Sequence, residues 1–298
     1  MCQDYRVLWT GGFDSTYIVI DFLRRGFNVF PYYSVRGIKY QPKEIDAMSR
    51  IRKLLENHTD ITGKLYPTKY LYQTENMEFY SEKLKQDVKQ FGLMFQYVYL
   101  LGLVGLMDIP DGEHIALGMG GEPSHLRDLV VGKGKLCNNG IDIPVLDSNV
   151  SDPLVFQYFS KFSFPIAFIT DREKYNNYLK WGYKDILDII TFCYDEHDGY
   201  ICGCCAPCLV KIERGMYEFF NKDALKRNFI WHLLDKEGKK FEGNSYASWF
   251  RKYCYICSFP DAEFKTLFFP PFLRQYFSNL ITSKKINKQF LLEYKGKG

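Results

Sequence analysis

The sequence lacks a long apolar run, a Walker-type phosphate-binding motif and a recognisable secretory leader. Its longest apolar stretch covers roughly residues 95–107, which is too short to span a bilayer, and it contains Gln96. We therefore expect a buried helix in this stretch, no membrane partner and a cytoplasmic protein. Neither an internal repeat nor a low-complexity tract interrupts the 298 residues, a length that suits one large domain or a core domain with an appendage.

The composition is that of a globular enzyme with a basic C-terminal part. Hydrophobic residues make up 46% of the chain and charged residues 25%, which is ordinary for a soluble enzyme. Residues 222–298 carry 15 Lys and Arg against 7 Asp and Glu, a net charge of +8, although the whole chain has only +4. This basic, aromatic segment predicts either a surface for nucleic acid or an acidic partner protein, or an ordinary solvated helical face.

The nine cysteines are odd in number and crowd into one segment, which favours reduced thiols and a metal over disulfides. Four of them form the pattern C-x8-C-x2-C-x2-C, namely Cys193, Cys202, Cys205 and Cys208. Short C-x2-C steps direct thiolates at one ion, and a more distant fourth thiolate completes a tetrahedron, so we expect a structural Zn²⁺ site. An iron–sulfur cluster is the competing interpretation. Cys204 is then a spare thiol, and His197 in the same segment is an alternative ligand.

Short apolar segments alternate with segments of helical periodicity through the first 190 residues. Strands are predicted at 5–9, 27–35, 69–74 and within 113–121, and helices at 16–25, at 42–58 and in the region leading to residue 107. This alternation predicts an α/β fold with a parallel sheet and right-handed crossovers. We expect a core domain over residues 1–220, including the cysteine segment, and a mainly helical extension over residues 221–298.

The first predicted strand runs into the segment TGGFDST, residues 10–16, which we call the glycine turn. Ligands in parallel sheets bind beyond the carboxyl ends of the strands, where this turn lies. Gly11 and Gly12 let the backbone approach an anion closely, and the first amides of the following helix point at the same place. Further donors are the hydroxyls of Thr10, Ser15 and Thr16. The turn therefore predicts a phosphate site, in which Asp14 either holds Mg²⁺ or caps the helix.

The glycine turn resembles the SGGxDS signature of the PP-loop ATP pyrophosphatases, with Thr10 in the place of the first serine. With the cysteine pattern about 180 residues later, the chain from roughly residue 5 to 220 resembles the 7-cyano-7-deazaguanine synthase family. Landmarks of that family between the two motifs are matched here by Pro165, Thr170, Arg172, Gly182 and Cys193.

This resemblance implies a Rossmann-like sheet of the adenine-nucleotide α-hydrolase type, with ATP, Mg²⁺ and Zn²⁺ as cofactors. The implied reaction, a step of queuosine biosynthesis, adenylates the carboxylate of 7-carboxy-7-deazaguanine or a related acid, and ammonia or another amine then gives an amide or nitrile. Asp14 and Ser15 are the implied catalytic residues. The implied nucleotide-binding residues are Thr10, Gly11, Gly12, Asp14, Ser15, Thr16 and Gly118.

The middle of the chain departs from the family pattern, at "GLMFQYVYLLG" and at "GMGGEPSHLRDL". In the second segment Glu122, His125 and Arg127 are candidates for substrate binding, with Glu122 able to accept from a guanine-like edge. Because of this departure, the sequence does not determine which amine accepts the activated acid. In a second hypothesis, the protein joins the activated deazapurine to a protein or another macromolecule in a bacterial antiviral defence system. A third hypothesis is a tRNA-modifying PP-loop enzyme. Self-association into a homodimer is a further expected partnership.

Overall fold

The computed structural model describes residues 3–36, 41–72, 82–94, 96–138, 143–190, 192–196, 200–236, 240–241, 244–259, 261–267 and 269–295. The chain contacts divide it into two units, Met1–Thr191 and Phe192–Gly298. The glycine turn belongs to the first unit and the four-cysteine pattern to the second.

As far as residue 116 the first unit alternates strands and helices in the order that the sequence predicts, and three further strands that were not predicted follow. Its strands are β1 (Asp4–Leu8), β2 (Asn28–Val35), β3 (Lys69–Tyr72), β4 (Ile115–Ala116), β5 (Leu136–Asn138), β6 (Pro144–Leu146) and β7 (Phe162–Ser163). Its helices are α1 (Phe13–Arg24), α2 (Gln41–Leu55), α3 (Glu82–Gln90), α4 (Gln96–Leu106), α5 (His125–Arg127), α6 (Pro153–Phe159), α7 (Asp171–Trp181) and α8 (Lys184–Leu187), with a π-helical turn at Asp128–Lys133.

The seven strands described in the first unit form one sheet in the order β3-β2-β1-β4-β7-β6-β5. Strands β3, β2, β1, β4 and β7 are parallel, with Leu8 opposite Tyr32 and Val7 opposite Ala116. Strand β6 is antiparallel to both β5 and β7. The predicted α/β class with a mostly parallel sheet is confirmed. The antiparallel edge was not predicted, and it follows from the short β5–β6 connection, since a parallel crossover needs a dozen or more residues.

The helices that flank the site have clear beginnings and ends in the sequence. Helix α7 begins at a capping box, in which Thr170 accepts from the amide of Glu173 while Glu173 accepts from the amide of Thr170. It ends at Gly182, whose φ of +85° places it in the left-handed region that glycine adopts readily. Helix α1 is apolar almost all round, and Ile18 and Ile20 are fully buried within the unit.

Two faces of the sheet are covered by helices. Leu8, Ile115 and Phe162 belong to one core cluster with apolar residues of α3, α4 and α6. Val7 alternates with Leu8 along β1 and therefore faces the other side, where it is also fully buried. The predicted buried helix at residues 95–107 corresponds to α4. No helix in the described ranges is long and apolar enough to cross a bilayer.

The second unit is mainly helical, as expected of the C-terminal extension. Its elements are α9 (Ala206–Glu213), a 3₁₀ turn (Tyr217–Phe219), α10 (Lys222–Lys236), the hairpin strands β8 (Lys240–Phe241) and β9 (Asn244–Ser245), α11 (Tyr246–Cys257), α12 (Ala262–Thr266), α13 (Pro271–Thr282) and α14 (Lys284–Glu293). The four cysteines share one core with Phe250, Phe277 and other apolar residues of these helices. The unit therefore begins at Phe192, before the cysteines, rather than near the expected residue 220.

Candidate functional site

The glycine turn lies where the order of the sheet reverses. Strand β1 has β2 on one side and β4 on the other, so the connections that follow β1 and β4 lead away in opposite directions. Such a switch point leaves a crevice at the carboxyl ends of the strands. Gly11 has a φ of +70°, and a Cβ atom there would lie 3.1 Å from both the Glu44 carbonyl oxygen and the Ala47 Cβ. Only glycine fits this turn against α2 without strain.

Helix α1 begins at Phe13, three residues earlier than predicted, which puts Asp14 and Ser15 in its first turn. Gly12 is its N-cap residue, and no side chain caps the helix. The first-turn amides of an α-helix have no intrahelical acceptors, and the positive end of the helix dipole lies behind them. The start of α1 is therefore suited to an anion. Asp14 is not a helix cap in this structure, which removes one of its two predicted roles.

The hydroxyl groups of the turn divide into two kinds. The Ser15 Oγ lies 3.2 Å from both the Thr10 amide nitrogen and the Thr10 Oγ1. The Gly12 amide donates to the Thr10 Oγ1 at 3.4 Å. These bonds connect Thr10, Gly12 and Ser15 within the turn. Thr16 differs from the prediction, because its side chain is fully buried and accepts a hydrogen bond from the Trp9 indole at 3.0 Å. The hydroxyl of Thr16 therefore supports the core and does not line the turn.

A buried lysine of α7 is paired with Asp14. The Lys174 ammonium bonds to the Asp14 Oδ1 and lies 2.7 Å from the Asp171 Oδ1. Lys174 and Asp171 are 0% and 1% exposed, whereas the Asp14 side chain keeps 35% of its surface exposed. Burial lowers the pKa of Lys174, but the charges of Asp14 and Asp171 outweigh this effect and raise it. The lysine is thus a fixed cation that anchors one oxygen of Asp14.

The loop after β4 passes directly over this ion pair. A Cβ atom at Gly118 would lie 3.2 Å from the Asp14 Cβ, so the structure brings these two predicted residues together. A Cβ atom at Gly120 would lie 2.8 Å from the Lys174 Nζ. Both glycines thus allow the β4 loop to approach α1 and α7 closely. Lys174 and Asp171 were not predicted from the sequence, because a buried cation in a polar helix start has no periodic signature.

The three predicted substrate residues have different surroundings. Glu122 accepts from the amide of Asp171 at 3.0 Å, which ties the β4 loop to the start of α7. The Arg127 Nε donates to the Ala167 carbonyl at 3.3 Å. His125 is exposed at the first position of α5. Glu122 and Arg127 thus connect the segments that follow β4 and β7, and only His125 is largely open to solvent.

A second group of polar residues lies beside the turn, where β2 meets α2. The Arg36 amide donates to the Gln41 Oε1 at 3.2 Å, and the Tyr33 hydroxyl donates to the Glu44 Oε2 at 2.5 Å. Burial raises the pKa of Glu44, although the bond from Tyr33 and the charge of Arg36 oppose the shift. The Arg36 Nε and the Lys43 Nζ are shielded from solvent, and neither has a hydrogen-bond partner among the described residues. The sequence analysis did not single out this group.

The four cysteines of the C-x8-C-x2-C-x2-C pattern converge in the second unit. All four are buried, and their sulfur atoms lie within 4.8 Å of one another. Three sulfur–sulfur distances are 3.9 Å (Cys202 to Cys208), 3.9 Å (Cys193 to Cys205) and 3.3 Å (Cys205 to Cys208). Four bonds of about 2.3 Å at tetrahedral angles separate sulfurs by about 3.8 Å. The group could therefore hold one metal ion, and its geometry is compatible with zinc.

Hydrogen bonds from backbone amides and from side chains of α10 surround the four cysteines. The amides of Cys204 and Cys205 donate to the Cys202 sulfur at 3.3 and 3.2 Å. From α10, the Arg227 Nε donates to the Cys202 carbonyl at 3.0 Å and the Asn228 side chain donates to the Gly203 carbonyl at 3.1 Å. Such outer contacts orient metal ligands and favour the thiolate form. They also explain why the cysteines group with the C-terminal helices.

The remaining cysteines near this group do not join it. Cys204 is not part of the group of converging sulfurs. Burial raises the pKa of its thiol, and contact with Cys254 adds to the shift. Cys254 is buried and Cys257 half-buried in α11. His197, the alternative ligand, lies outside the described residues.

A cavity of about 670 Å³ lies at the opposite edge of the sheet. Its lining includes Tyr5, Arg6 and His114, which stand at the amino-terminal ends of β1 and β4. No residue of the glycine turn contributes to it.

Comparison with known proteins gave no match among protein-family models, among curated proteins or among solved structures.

Proposed function

We propose that this protein uses ATP and Mg²⁺ to adenylate a carboxylate, and that the acid is 7-carboxy-7-deazaguanine or a close relative. The observation that carries the proposal is the uncapped start of α1 behind Gly11 and Gly12, at the switch point of a mostly parallel sheet. The PP-loop type of the fold and the deazapurine class of the acid are parts of this proposal and rest on the quoted motifs.

The glycine turn has the parts that pyrophosphate binding requires. Free first-turn amides and the helix dipole attract the anion, and the glycines allow the backbone to approach it. The Thr10 and Ser15 hydroxyls lie 3.2 Å apart in the turn and can reorient toward phosphate oxygens. Fixed donors of this kind stabilise charge that develops on a leaving group.

Asp14 fits the role of a magnesium ligand. Lys174 holds its Oδ1, and its Oδ2 has no partner among the described residues, while the side chain stays partly exposed. Carboxylates that keep one free oxygen are common Mg²⁺ ligands in phosphoryl-transfer sites. When bound, the ion would neutralise charge on the phosphates.

The proposed reaction has two balanced steps. A carboxylate oxygen of the acid forms a bond to the α-phosphorus of ATP while the bond to the bridging oxygen breaks, and pyrophosphate leaves. An amine nitrogen then bonds to the acyl carbon, AMP leaves with the carboxylate oxygen, and the nitrogen loses a proton. The glycine turn acts in the first step by binding pyrophosphate. A further dehydration of the amide to a nitrile would consume a second ATP.

We further propose that the four cysteines hold a structural zinc ion. A closed set of four thiolates leaves no open position for water or substrate, so the ion would stabilise the second unit rather than act in catalysis.

The direct test incubates the protein with ATP, Mg²⁺ and 7-carboxy-7-deazaguanine, with and without ammonium. Pyrophosphate is measured, and small molecules and intact protein are analysed by mass spectrometry. An amide or nitrile that forms only with ammonium supports the synthase. Pyrophosphate release without those products means that the acid is correct and the acceptor is another molecule, such as a protein. Absence of pyrophosphate release under all conditions contradicts the proposal.

Asp14→Asn provides the residue-level test. We expect it to abolish pyrophosphate release while the fold persists, because one ligand to the ion is lost. Asp21→Asn is the matched control, since Asp21 lies on the same helix and pairs with Arg25. Equal release by both variants would remove Asp14 from the reaction.

A further inference from the structure

Two cationic groups, Arg36 directly after β2 and Lys43 near the start of α2, have buried nitrogens with no acceptor among the described residues. The Arg36 Nε and the Lys43 Nζ are both shielded from solvent and make no hydrogen bond within the part of the chain that the structure describes. Buried polar atoms are nearly always satisfied, and an unpaired donor is costly unless a ligand or ion supplies the acceptor. Because these two donors are close in the chain and both are positively charged, an anion is the ligand that would satisfy them.

The strand register places these groups beside the glycine turn. Leu8 lies opposite Tyr32 in the parallel β1–β2 pair, and the Trp9 amide donates to the Tyr32 carbonyl. Arg36 follows Tyr32 by four residues, just as Gly12 follows Leu8, so both stand at the same edge of the sheet. Gly11 packs against the Glu44 carbonyl, the residue next to Lys43.

The local charge is positive. Glu44 is the acidic residue of this group, and its carboxylate already accepts from the Tyr33 hydroxyl and lies near Arg36. Arg36 and Lys43 together outweigh it by one positive charge. An arriving anion would therefore meet net attraction as well as unpaired donors.

We propose that Arg36 and Lys43 form an oxyanion subsite that extends the glycine turn along the start of α2. It binds a second anionic group, either a phosphate of the nucleotide or the carboxylate of the acid. This inference rests on the proposed function for its choice of ligands, but the subsite itself is tested without turnover.

The test compares Arg36→Met and Lys43→Met with Lys53→Met, an exposed lysine on the same helix. Methionine keeps the apolar stem and removes the charge and the donors. Binding of pyrophosphate, AMP and 7-carboxy-7-deazaguanine is measured by calorimetry, and melting temperature is measured with and without inorganic phosphate. We expect the two subsite variants to bind at least one of these anions roughly tenfold or more weakly, with Lys53→Met unchanged.

The same variants should melt at a higher temperature than the parent protein when no ligand is present, because an unpaired buried donor has been removed. A purely structural role for Arg36 or Lys43 would give the opposite shift. Weaker binding of pyrophosphate or AMP identifies a phosphate subsite, and weaker binding of the acid alone identifies a carboxylate subsite.

Unchanged binding of all three anions in both variants overturns the subsite. A further outcome separates the two proposals. If the parent protein does not turn over the acid, but phosphate raises the melting temperature of the parent and not that of the two variants, then the subsite stands and the adenylation proposal fails. If phosphate stabilises parent and variants equally and the variants also bind the acid as the parent does, the subsite fails whatever the activity.

Discussion

Lys174→Met probes the buried charge cluster that anchors Asp14. The substitution removes the only cation that the described structure places between Asp14 and Asp171. Asp171 is 1% exposed, so its carboxylate would remain buried without its ion-pair partner. Removing one partner of a buried ion pair costs about 3–5 kcal/mol. That is a large share of the roughly 5–15 kcal/mol by which natural domains are stable.

Hydrogen exchange of peptides from α1 and α7 is the appropriate assay, because it reports opening of the first unit separately from the second. The most protected amides should exchange roughly two to three and a half powers of ten faster in Lys174→Met. Lys180→Met is the control on the same helix, where an exposed lysine is replaced and the change should stay within about 0.5 kcal/mol.

A double variant tests whether the charge or the packing of Lys174 causes the faster hydrogen exchange. Asp171→Asn with Lys174→Met removes the buried pair together, so most of the lost protection should return. If Lys174→Met exchanges like Lys180→Met, the buried ion pair is not present in solution. If the double variant is as unstable as the single one, packing of the lysine stem rather than its charge is responsible.

Three further predictions address the cysteines and Glu44. The purified protein should contain about one zinc per chain, and Cys202→Ser should lose both the metal and the fold of the second unit; iron with a visible absorption band, or a stable metal-free fold, would contradict this. Gly203→Ala should destabilise the second unit by about 2 kcal/mol or more in denaturant unfolding, because its φ is +75° and a Cβ atom would lie 2.1 Å from a carbonyl oxygen of α10. Gly215→Ala is the control with a similar φ of +72° and no such clash, so equal losses would disprove the contact. Burial raises the pKa of Glu44 in the folded state, so its contribution to stability is present below its unfolded pKa of about 4.3 and is lost as pH rises through the folded pKa. Glu44→Gln should therefore raise the melting temperature at pH 7 and not below about pH 4. As a control, Glu56→Gln at an exposed position should change the melting temperature little at either pH. If Glu44→Gln also raised the melting temperature in acid, the raised pKa of Glu44 would not be the cause.

The glycine turn shows how far sequence reasoning reaches at a site. A strand, two glycines and a helix predicted an anion site at the sheet edge, and the structure provides the uncapped helix start at that place. The role of Thr16 could not be predicted, since the direction of its hydroxyl depends on where α1 begins. That start at Phe13 turns Thr16 toward the Trp9 indole and into the core.

The cysteine segment illustrates the same limit for domain organisation. The spacing predicted four converging thiols, and the structure brings their sulfurs within 4.8 Å. The pattern contained no information on which helices would surround them. Arg227 and Asn228 of α10 hold the cysteine backbone, so the segment belongs with the C-terminal helices.

Local sequence by itself determined the alternation of strands and helices, the glycine turn after β1 and the cysteine spacing, because these depend on periodicity and on backbone freedom over a few residues. The tertiary structure alone decided which distant charges meet. Lys174 reaches Asp14 from 160 positions away in the chain. Contacts of that separation depend on the order of strands in the sheet, and no local pattern encodes it.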